Sequence, residues 1–116
     1  MKERRLSDSM IQKFDDEVLP RIKEELSPNL VVIFGSRVRG DNSEESDIDV
    51  LIVSDFFSGK PFLGRMPMML RMFRFAWPVD YLCYSPEEFE KIKSSSIIVQ
   101  DALDSGIEIV SSAAPS

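Results

Sequence analysis

The segment 35–53 combines residue types that could hold an anion and the cation that balances it. Gly35, Ser36 and Gly40 form a short turn in which backbone N–H groups and a hydroxyl can approach a phosphate. Asp47 and Asp49 follow, and carboxylates are hard ligands that suit Mg²⁺. Because divalent cations accompany nucleotide phosphates, the combined pattern predicts a metal–nucleotide site.

The two carboxylates open an apolar run, so on a strand Asp47 and Asp49 share one face with Cα atoms about 7 Å apart. An Asp-x-Asp pair taken alone is more often a solvated strand end than a metal site. A third carboxylate would favour the metal interpretation, and Asp80 in the strand-like segment 77–84 is the candidate. Asp55 is the rival third ligand.

The glycine–serine turn differs from two common phosphate loops. It lacks the Gly-Lys-Ser/Thr of the Walker loop and the Gly-x-Gly-x-x-Gly of dinucleotide-binding folds. An ordinary strand-to-helix turn is the structural alternative. Arg37 and Arg39 stand inside the turn and could neutralise triphosphate charge, although surface arginines are more often merely solvated.

The order Gly-Ser-x-x-x-Gly, then Ser-Asp-x-Asp at the start of a strand, resembles the DNA polymerase beta-like nucleotidyltransferase superfamily, and within it the minimal nucleotidyltransferases. The resemblance covers roughly residues 29–110. The catalytic and metal-binding residues that it implies are Asp47, Asp49 and Asp80. The nucleotide-binding residues that it implies are Gly35, Ser36, Arg37, Gly40 and Ser46.

Composition limits the chemistry. Histidine is absent, which removes Ser-His-Asp, Cys-His and histidine-ligated zinc sites, so catalysis must use carboxylates and metals. The formal charge of −6 argues against a nucleic acid as the main partner.

Since no long apolar run or signal-like segment is present, we predict a cytoplasmic protein without a membrane span. The single Cys83 is predicted to be a buried thiol without a chemical role.

The hydrophobic pattern predicts an α/β (α+β) fold, in which helices flank one small mixed sheet of about four strands, as in the polymerase beta-like core. We expect a single domain over residues 1–116, with 1–7 and 111–116 flexible. The predicted helices span residues 8–26, with a kink or division at Pro20, then 63–75, 86–93 and 96–105. The predicted strands span residues 30–34, 47–53, 77–84 and 107–110.

The resemblance implies an Mg²⁺-dependent nucleotidyltransferase, with a two-metal site, that moves a nucleoside monophosphate from a nucleoside triphosphate, ATP above all, to a hydroxyl group. Minimal nucleotidyltransferases are often paired with HEPN-domain toxins, so a tyrosine of such a partner is an expected acceptor. The alternatives are a non-catalytic antitoxin or interaction subunit, and a transferase that acts on a small-molecule or RNA hydroxyl. The sequence leaves the oligomeric state open.

The segment 66–75 is rich in methionine and phenylalanine. We expect it to cover the core, because methionine fills irregular gaps well. Contact with a partner is the alternative, since Phe56, Phe57 and Phe62 lie nearby in the chain and an exposed apolar patch would mark an interface.

Overall fold

A computed structural model describes residues 8–40 and 46–111 of the chain. Its helices are α1 Ser9–Glu17, α2 Leu19–Leu26, α3 Ser36–Arg39, α4 Arg65–Met72, α5 Pro86–Ile92 and α6 Ile97–Ser105. Its strands are β1 Leu30–Phe34, β2 Ile48–Val53, β3 Val79–Tyr84 and β4 Ile107–Ser111. Two short 3₁₀ turns cover Asp55–Phe57 and Phe62–Gly64.

The four strands form one mixed sheet in the order β3-β2-β1-β4. β1 pairs antiparallel with β2 and β4, whereas β2 pairs parallel with β3. The amino ends of β2 and β3 and the carboxyl end of β1 therefore meet at one end of the sheet. The predicted mixed sheet with flanking helices is confirmed.

Both faces of the sheet are covered, because side chains alternate along each strand. On the first face, buried side chains of β1, β2 and β3 pack with Phe14 of α1, Ile22 of α2 and Met69 of α4. On the second face, Leu51 and Phe34 pack with Ala102 of α6 and Phe89 of α5. The catalytic candidates lie on this second face, at the end where β2 and β3 begin.

The amphipathic segment 8–26 forms two helices that divide at Val18. Pro20 stands in the first turn of α2, where its missing N–H costs no helical hydrogen bond. Asp8 caps α1 by accepting hydrogen bonds from two backbone N–H groups of the first turn. The division predicted near Pro20 is confirmed.

Two strands start later than predicted. β2 starts at Ile48 rather than Asp47, and the Ile48 N–H donates to the Pro78 carbonyl at 3.1 Å, next to the start of β3. β3 starts at Val79 rather than Trp77, since Pro78 has no N–H to donate to a strand ladder. Asp47 therefore lies just before the strand that carries Asp49.

The helix predicted over residues 63–75 is shorter, and a 3₁₀ turn precedes it. Met69 and Phe73 are buried, so the core-covering interpretation holds for the inner side of the segment. Exposed apolar side chains remain on its outer side. None of the helices in the described ranges 8–40 and 46–111 is long and apolar enough to span a membrane.

The predicted flexible ends fall mostly on residues 1–7 and 112–116, which lie outside the described residues. Ser111 was predicted to begin the tail, but it is the last residue of β4, because it pairs with Leu30 of β1.

Cys83 is buried, and burial raises the pKa of its thiol to about 12. This thiol is therefore protonated at neutral pH, and its predicted burial is confirmed.

Candidate active site

Gly35 follows the last residue of β1 and begins the glycine–serine turn. Its φ of 90° lies where residues with a Cβ are strained, and α3 starts directly afterwards at Ser36. A Cβ built on Gly35 would lie 3.0 Å from Cγ of Asp49 and would overlap its Oδ2. The carboxylate of Asp49 thus lies against the backbone of the turn, in space that only glycine leaves open.

Asp49 and Asp80 are direct neighbours across the parallel pair of β2 and β3. Partners in register project to the same face of a sheet, so both carboxylates point to the second face. Asp47, two residues before Asp49, is exposed at the same end of the sheet, as is Asp80. The fold thus brings the predicted acidic residues to one location beside Gly35.

The charges of these residues affect one another. Burial raises the pKa of Asp49 to about 6, and repulsion from Asp80 and Asp47 contributes to the rise, whereas Arg39 opposes it. A cation placed among these carboxylates would relieve that repulsion. The electrostatics of the site therefore favour a bound cation.

The residues fit Mg²⁺ as donors, but they do not form a closed cage. Within the described part of the chain, no three or more His, Cys, Asp or Glu side chains lie close enough together to hold a metal by themselves. Mg²⁺ commonly takes one or two carboxylates and completes its octahedron with water and substrate phosphates. Asp49, Asp80 and Asp47 suit that kind of open site, and the two-metal arrangement stays a prediction.

Arg37 was predicted to bind nucleotide, and the structure places it among protein groups. Its guanidinium donates through Nε to the Ser46 carbonyl at 2.6 Å and through an Nη to Asp8 at 2.7 Å. It also lies 5.3 Å from the centre of the Trp77 ring and is only 8% exposed. These contacts favour a role in which Arg37 positions the backbone at Ser46, rather than one in which it contacts a phosphate directly.

The Ser46 carbonyl accepts a second hydrogen bond, from Nε1 of Trp77 at 2.9 Å. Arg37, Trp77 and the Ser46 carbonyl together form what we call the Ser46 clamp. Since Asp47 is the next residue, the clamp fixes the backbone that carries one predicted metal ligand. Ser46 is thereby placed at the site, with its backbone held by the protein.

Arg39 differs from Arg37 because it is partly exposed. It forms an ion pair with Asp101 of α6 at 3.5 Å, and its charge lowers the pKa of Asp49. An exposed guanidinium beside the carboxylates and the glycine turn is well placed for phosphate oxygens. Gly40 caps the end of α3 with a φ of 87°, and no atom of residues 8–40 or 46–111 lies within 4 Å of a Cβ built on it.

Asp55 is not part of the site, so the rival third ligand was wrong. It follows the carboxyl end of β2, whereas Asp49 stands near the amino end, about 20 Å away along an extended strand. Asp8, Trp77 and Asp101 also contact the residues of the site, and the sequence did not indicate them. Each acts through a long-range contact between elements, and no local sequence pattern indicates such contacts.

Known proteins resemble this chain in sequence and in fold. The nucleotidyltransferase domain family matches residues 15–109. A Methanocaldococcus jannaschii protein, provisionally named a protein adenylyltransferase, is 31% identical over 101 residues, which are 86% of this chain and 95% of the relative. A second protein of that organism, with the same provisional name, is 64% identical over 25 residues, only 22% of this chain and 25% of the relative.

A solved structure shares the architecture. The crystal structure of a provisionally assigned nucleotidyltransferase from Sulfolobus solfataricus has a TM-score of 0.55 and 33% identity to this chain, and the match covers 73% of this chain and 78% of that one. Family, relative and structure agree with the resemblance carried by the glycine–serine turn and the Asp-x-Asp pair. The chain therefore belongs to the nucleotidyltransferase domain family, and it is a nucleotidyltransferase enzyme.

Proposed function

We propose that this enzyme transfers AMP from ATP to a hydroxyl group of a protein. The observation that carries the proposal is the carboxylate of Asp49, which lies against Gly35 and beside Asp80. The choice of AMP and of a protein acceptor is supported by the relative that is provisionally named a protein adenylyltransferase and matches over 95% of its length.

The proposed reaction is a displacement at the α-phosphorus of ATP. The acceptor oxygen forms a bond to that phosphorus, the bond from it to the oxygen bridging to the β-phosphorus breaks, and pyrophosphate leaves. The hydroxyl proton passes to a carboxylate or to water, because the chain contains no histidine. When bound, Mg²⁺ supplies a Lewis acid that neutralises phosphate charge and activates the attacking oxygen.

The residues divide into two roles. Asp47 and Asp49 would hold the metal that accompanies the triphosphate, and Asp80 would help to hold a second one. Gly35 and Ser36 provide a turn that phosphate oxygens can approach closely.

Charge and positioning come from other residues of the turn. Arg39 neutralises triphosphate charge, whereas Arg37 and the rest of the Ser46 clamp position Asp47. Gly40 closes the turn, since its φ of 87° is readily adopted only by glycine.

A tyrosine of a HEPN-type partner protein is the acceptor we favour, on the resemblance to minimal nucleotidyltransferases. An antitoxin that acts by binding alone is less well supported, because the carboxylates and the glycine turn are all present at one end of the sheet. An RNA hydroxyl is disfavoured by the formal charge of −6, and a small-molecule hydroxyl is the remaining alternative.

The experiment is label transfer with the protein encoded beside this chain's gene. ATP labelled at the α-phosphorus should label the neighbour in the presence of Mg²⁺, and ATP labelled at the γ-phosphorus should not. Asp49→Ala should abolish labelling, while the exposed and distant Asp55→Ala should retain it. Inhibition of the neighbour without any label, unchanged in Asp49→Ala, would instead favour the binding-only function.

A further inference from the structure

We propose that the exposed side of α4, with the groove at its carboxyl end, docks an acidic segment of the acceptor protein that also carries apolar side chains. We call this surface the α4 docking face and define it by Leu63, Met66, Leu70, Arg71 and Arg74. The inference rests on the proposed transfer to a protein, and it names the surface that recognises that protein.

The groove lies at the carboxyl end of α4 and runs to the start of β3. It has a volume of about 520 Å³, and Leu70, Arg71, Arg74 and Trp77 are among the residues that line it. The lining combines apolar and aromatic surface with two guanidinium groups. This combination suits a segment that carries both apolar and anionic side chains.

An exposed apolar stripe leads into the groove. Leu63 is 88% exposed, Met66 38% and Leu70 41%, and their spacing of three and four residues places them on one side of the segment. Leu70 belongs to both the stripe and the groove lining. The two features therefore form one continuous surface, and contiguous apolar exposure of this kind marks interaction sites.

The charges on this face indicate the chemistry of the partner. Arg71 and Arg74 are exposed and form no hydrogen bond or ion pair within residues 8–40 and 46–111. Each other arginine in those ranges has a carboxylate partner, as the ion pairs Arg21–Glu25, Arg37–Asp8, Arg39–Asp101 and Arg65–Glu88 show. In a chain of formal charge −6, two cations that line one groove and have no partner among the described residues complement an acidic segment.

The groove is preformed, because its walls are held by contacts with α1 and α2. Arg21 donates to the Met72 carbonyl at 3.1 Å, and its guanidinium lies 5.0 Å from the centre of the Phe73 ring. Phe75 packs edge-on against Phe14 with ring centres 5.5 Å apart. A groove that is already ordered can bind a segment without a further loss of conformational entropy.

The groove opens beside the acidic residues, on the opposite face of the sheet. Val79 lines it, and Asp80 is the next residue of β3, so their side chains point to opposite faces. A segment that passes over the amino end of β3 gains about 3.3 Å per residue and reaches Asp80 within a few residues. This placement favours the acceptor over the nucleotide as the occupant, since the phosphates would lie on the other face with Gly35 and Asp49.

Peptide binding tests the docking face without requiring transfer. The probe is a short fluorescein-labelled peptide in which Leu and Tyr alternate with Asp and Glu, measured by fluorescence anisotropy. A peptide with Lys in place of the acids should bind at least about tenfold more weakly. Arg71→Glu with Arg74→Glu should weaken binding of the acidic peptide by a similar factor.

Matched variants distinguish docking at this face from two general effects, a change in net charge and a loss of apolar surface elsewhere on the protein. Lys13→Glu with Lys23→Glu makes the same change in net charge at exposed positions of α1 and α2, and it should alter binding by less than about twofold. Leu70→Ser should weaken binding, whereas Leu103→Ser, at the similarly exposed α6 position, should not.

Three results would overturn the docking face. The first is equal binding of the acidic and basic peptides, and the second is equal loss of binding in the two charge-reversed proteins. The third is an unchanged peptide Kd with a raised Kd for Mg²⁺–ATP in Arg71→Glu with Arg74→Glu, which would assign the groove to the nucleotide. Asp49→Ala should bind the peptide normally, because docking does not require transfer. A parent protein that binds the peptide but labels no acceptor would therefore contradict only the proposed function.

Discussion

At Asp49 an acid interrupts a strand whose other residues are apolar, and the fold half-buries it between Gly35 and Asp80. The sequence pattern predicted which acids would meet, because the period of a strand places Asp47 and Asp49 on one side. It did not predict how closely Asp49 approaches Gly35. That contact depends on the antiparallel pairing of β1 with β2, which places Phe34 opposite Asp49.

Gly35→Ala tests this close approach. The substitution adds a Cβ where the Asp49 carboxylate lies and forces alanine into a φ of 90°, so we expect a loss of about 3 kcal/mol or more in the free energy of unfolding. Gly40→Ala is the matched control, because its φ is 87° and no described residue crowds a Cβ there, and it should cost about 1 kcal/mol. Chemical denaturation measures both, and equal losses would mean that Asp49 does not limit the space at Gly35.

The raised pKa of Asp49 predicts a pH dependence of stability. Its pKa of about 6 in the folded protein exceeds the ordinary 3.8, so the folded state binds this proton more tightly than the unfolded chain does. Stability should therefore fall as pH rises from about 4 to about 6 and stay lower above that.

Asp49→Asn should remove this contribution. Above pH 6 it should be more stable than the parent by about 1 kcal/mol, a value discounted for solvent screening because the side chain is only half-buried. Urea titrations of both proteins across this pH range, with EDTA present, give the difference. A constant difference between the two proteins from pH 4 to pH 7 would contradict the raised pKa.

Among the elements, the strands were the most predictable. Continuous apolar runs located β1 and β2 to within one residue, and the capping box at Ser85 located the start of α5. The errors arose where tertiary contacts decide an end. β3 begins after Pro78, and Trp77 instead turns its indole toward Ser46, a contact no local pattern encodes.

The Ser46 clamp holds the entry to β2, and it predicts a kinetic effect. Arg37→Lys loses the planar fork that contacts Ser46 and Asp8 together, and Trp77→Phe loses the indole N–H. Because small displacements of a reacting group are costly, each variant should lower kcat for AMP transfer by about tenfold or more.

The same variants should leave the KM for ATP within about twofold, since neither side chain is expected to contact the nucleotide. Combined, they should lower kcat by less than the product of the single effects, because both act on one carbonyl. A rise in KM for ATP with kcat unchanged would show instead that Arg37 binds the nucleotide directly.

On the scale of the whole molecule, hydrophobic composition and the order of strands and helices were enough to predict the fold class. They were not enough to predict the strand order β3-β2-β1-β4. Pairing of distant segments depends on packing that no local pattern records. The same holds for the distribution of charge, because the formal charge of −6 does not reveal that Arg71 and Arg74, at and just beyond the end of α4, have no ion-pair partner among the described residues. The acidic cluster was predictable, while the surface that surrounds it was not.

The core on the first face joins the helical layer to the sheet through Phe14. This side chain is fully buried and contacts Phe75 and Tyr81, with ring centres 5.5 and 6.3 Å away. Phe14→Ala should cost about 3 to 5 kcal/mol, a large part of the stability of a small domain. Denaturant unfolding measures the cost, and Leu103→Ala, at an exposed position of α6, should cost less than about 1 kcal/mol.

Magnesium-dependent binding of ATP, measured by calorimetry, tests most directly whether these acids and the glycine turn form one site. Asp47→Asn and Asp49→Asn should abolish the heat of Mg²⁺–ATP binding, and Asp80→Asn should reduce it. Asp55→Asn, with the same change of charge at the opposite end of β2, should leave it intact. Retained binding in Asp49→Asn, or equal losses in Asp49→Asn and Asp55→Asn, would contradict the account.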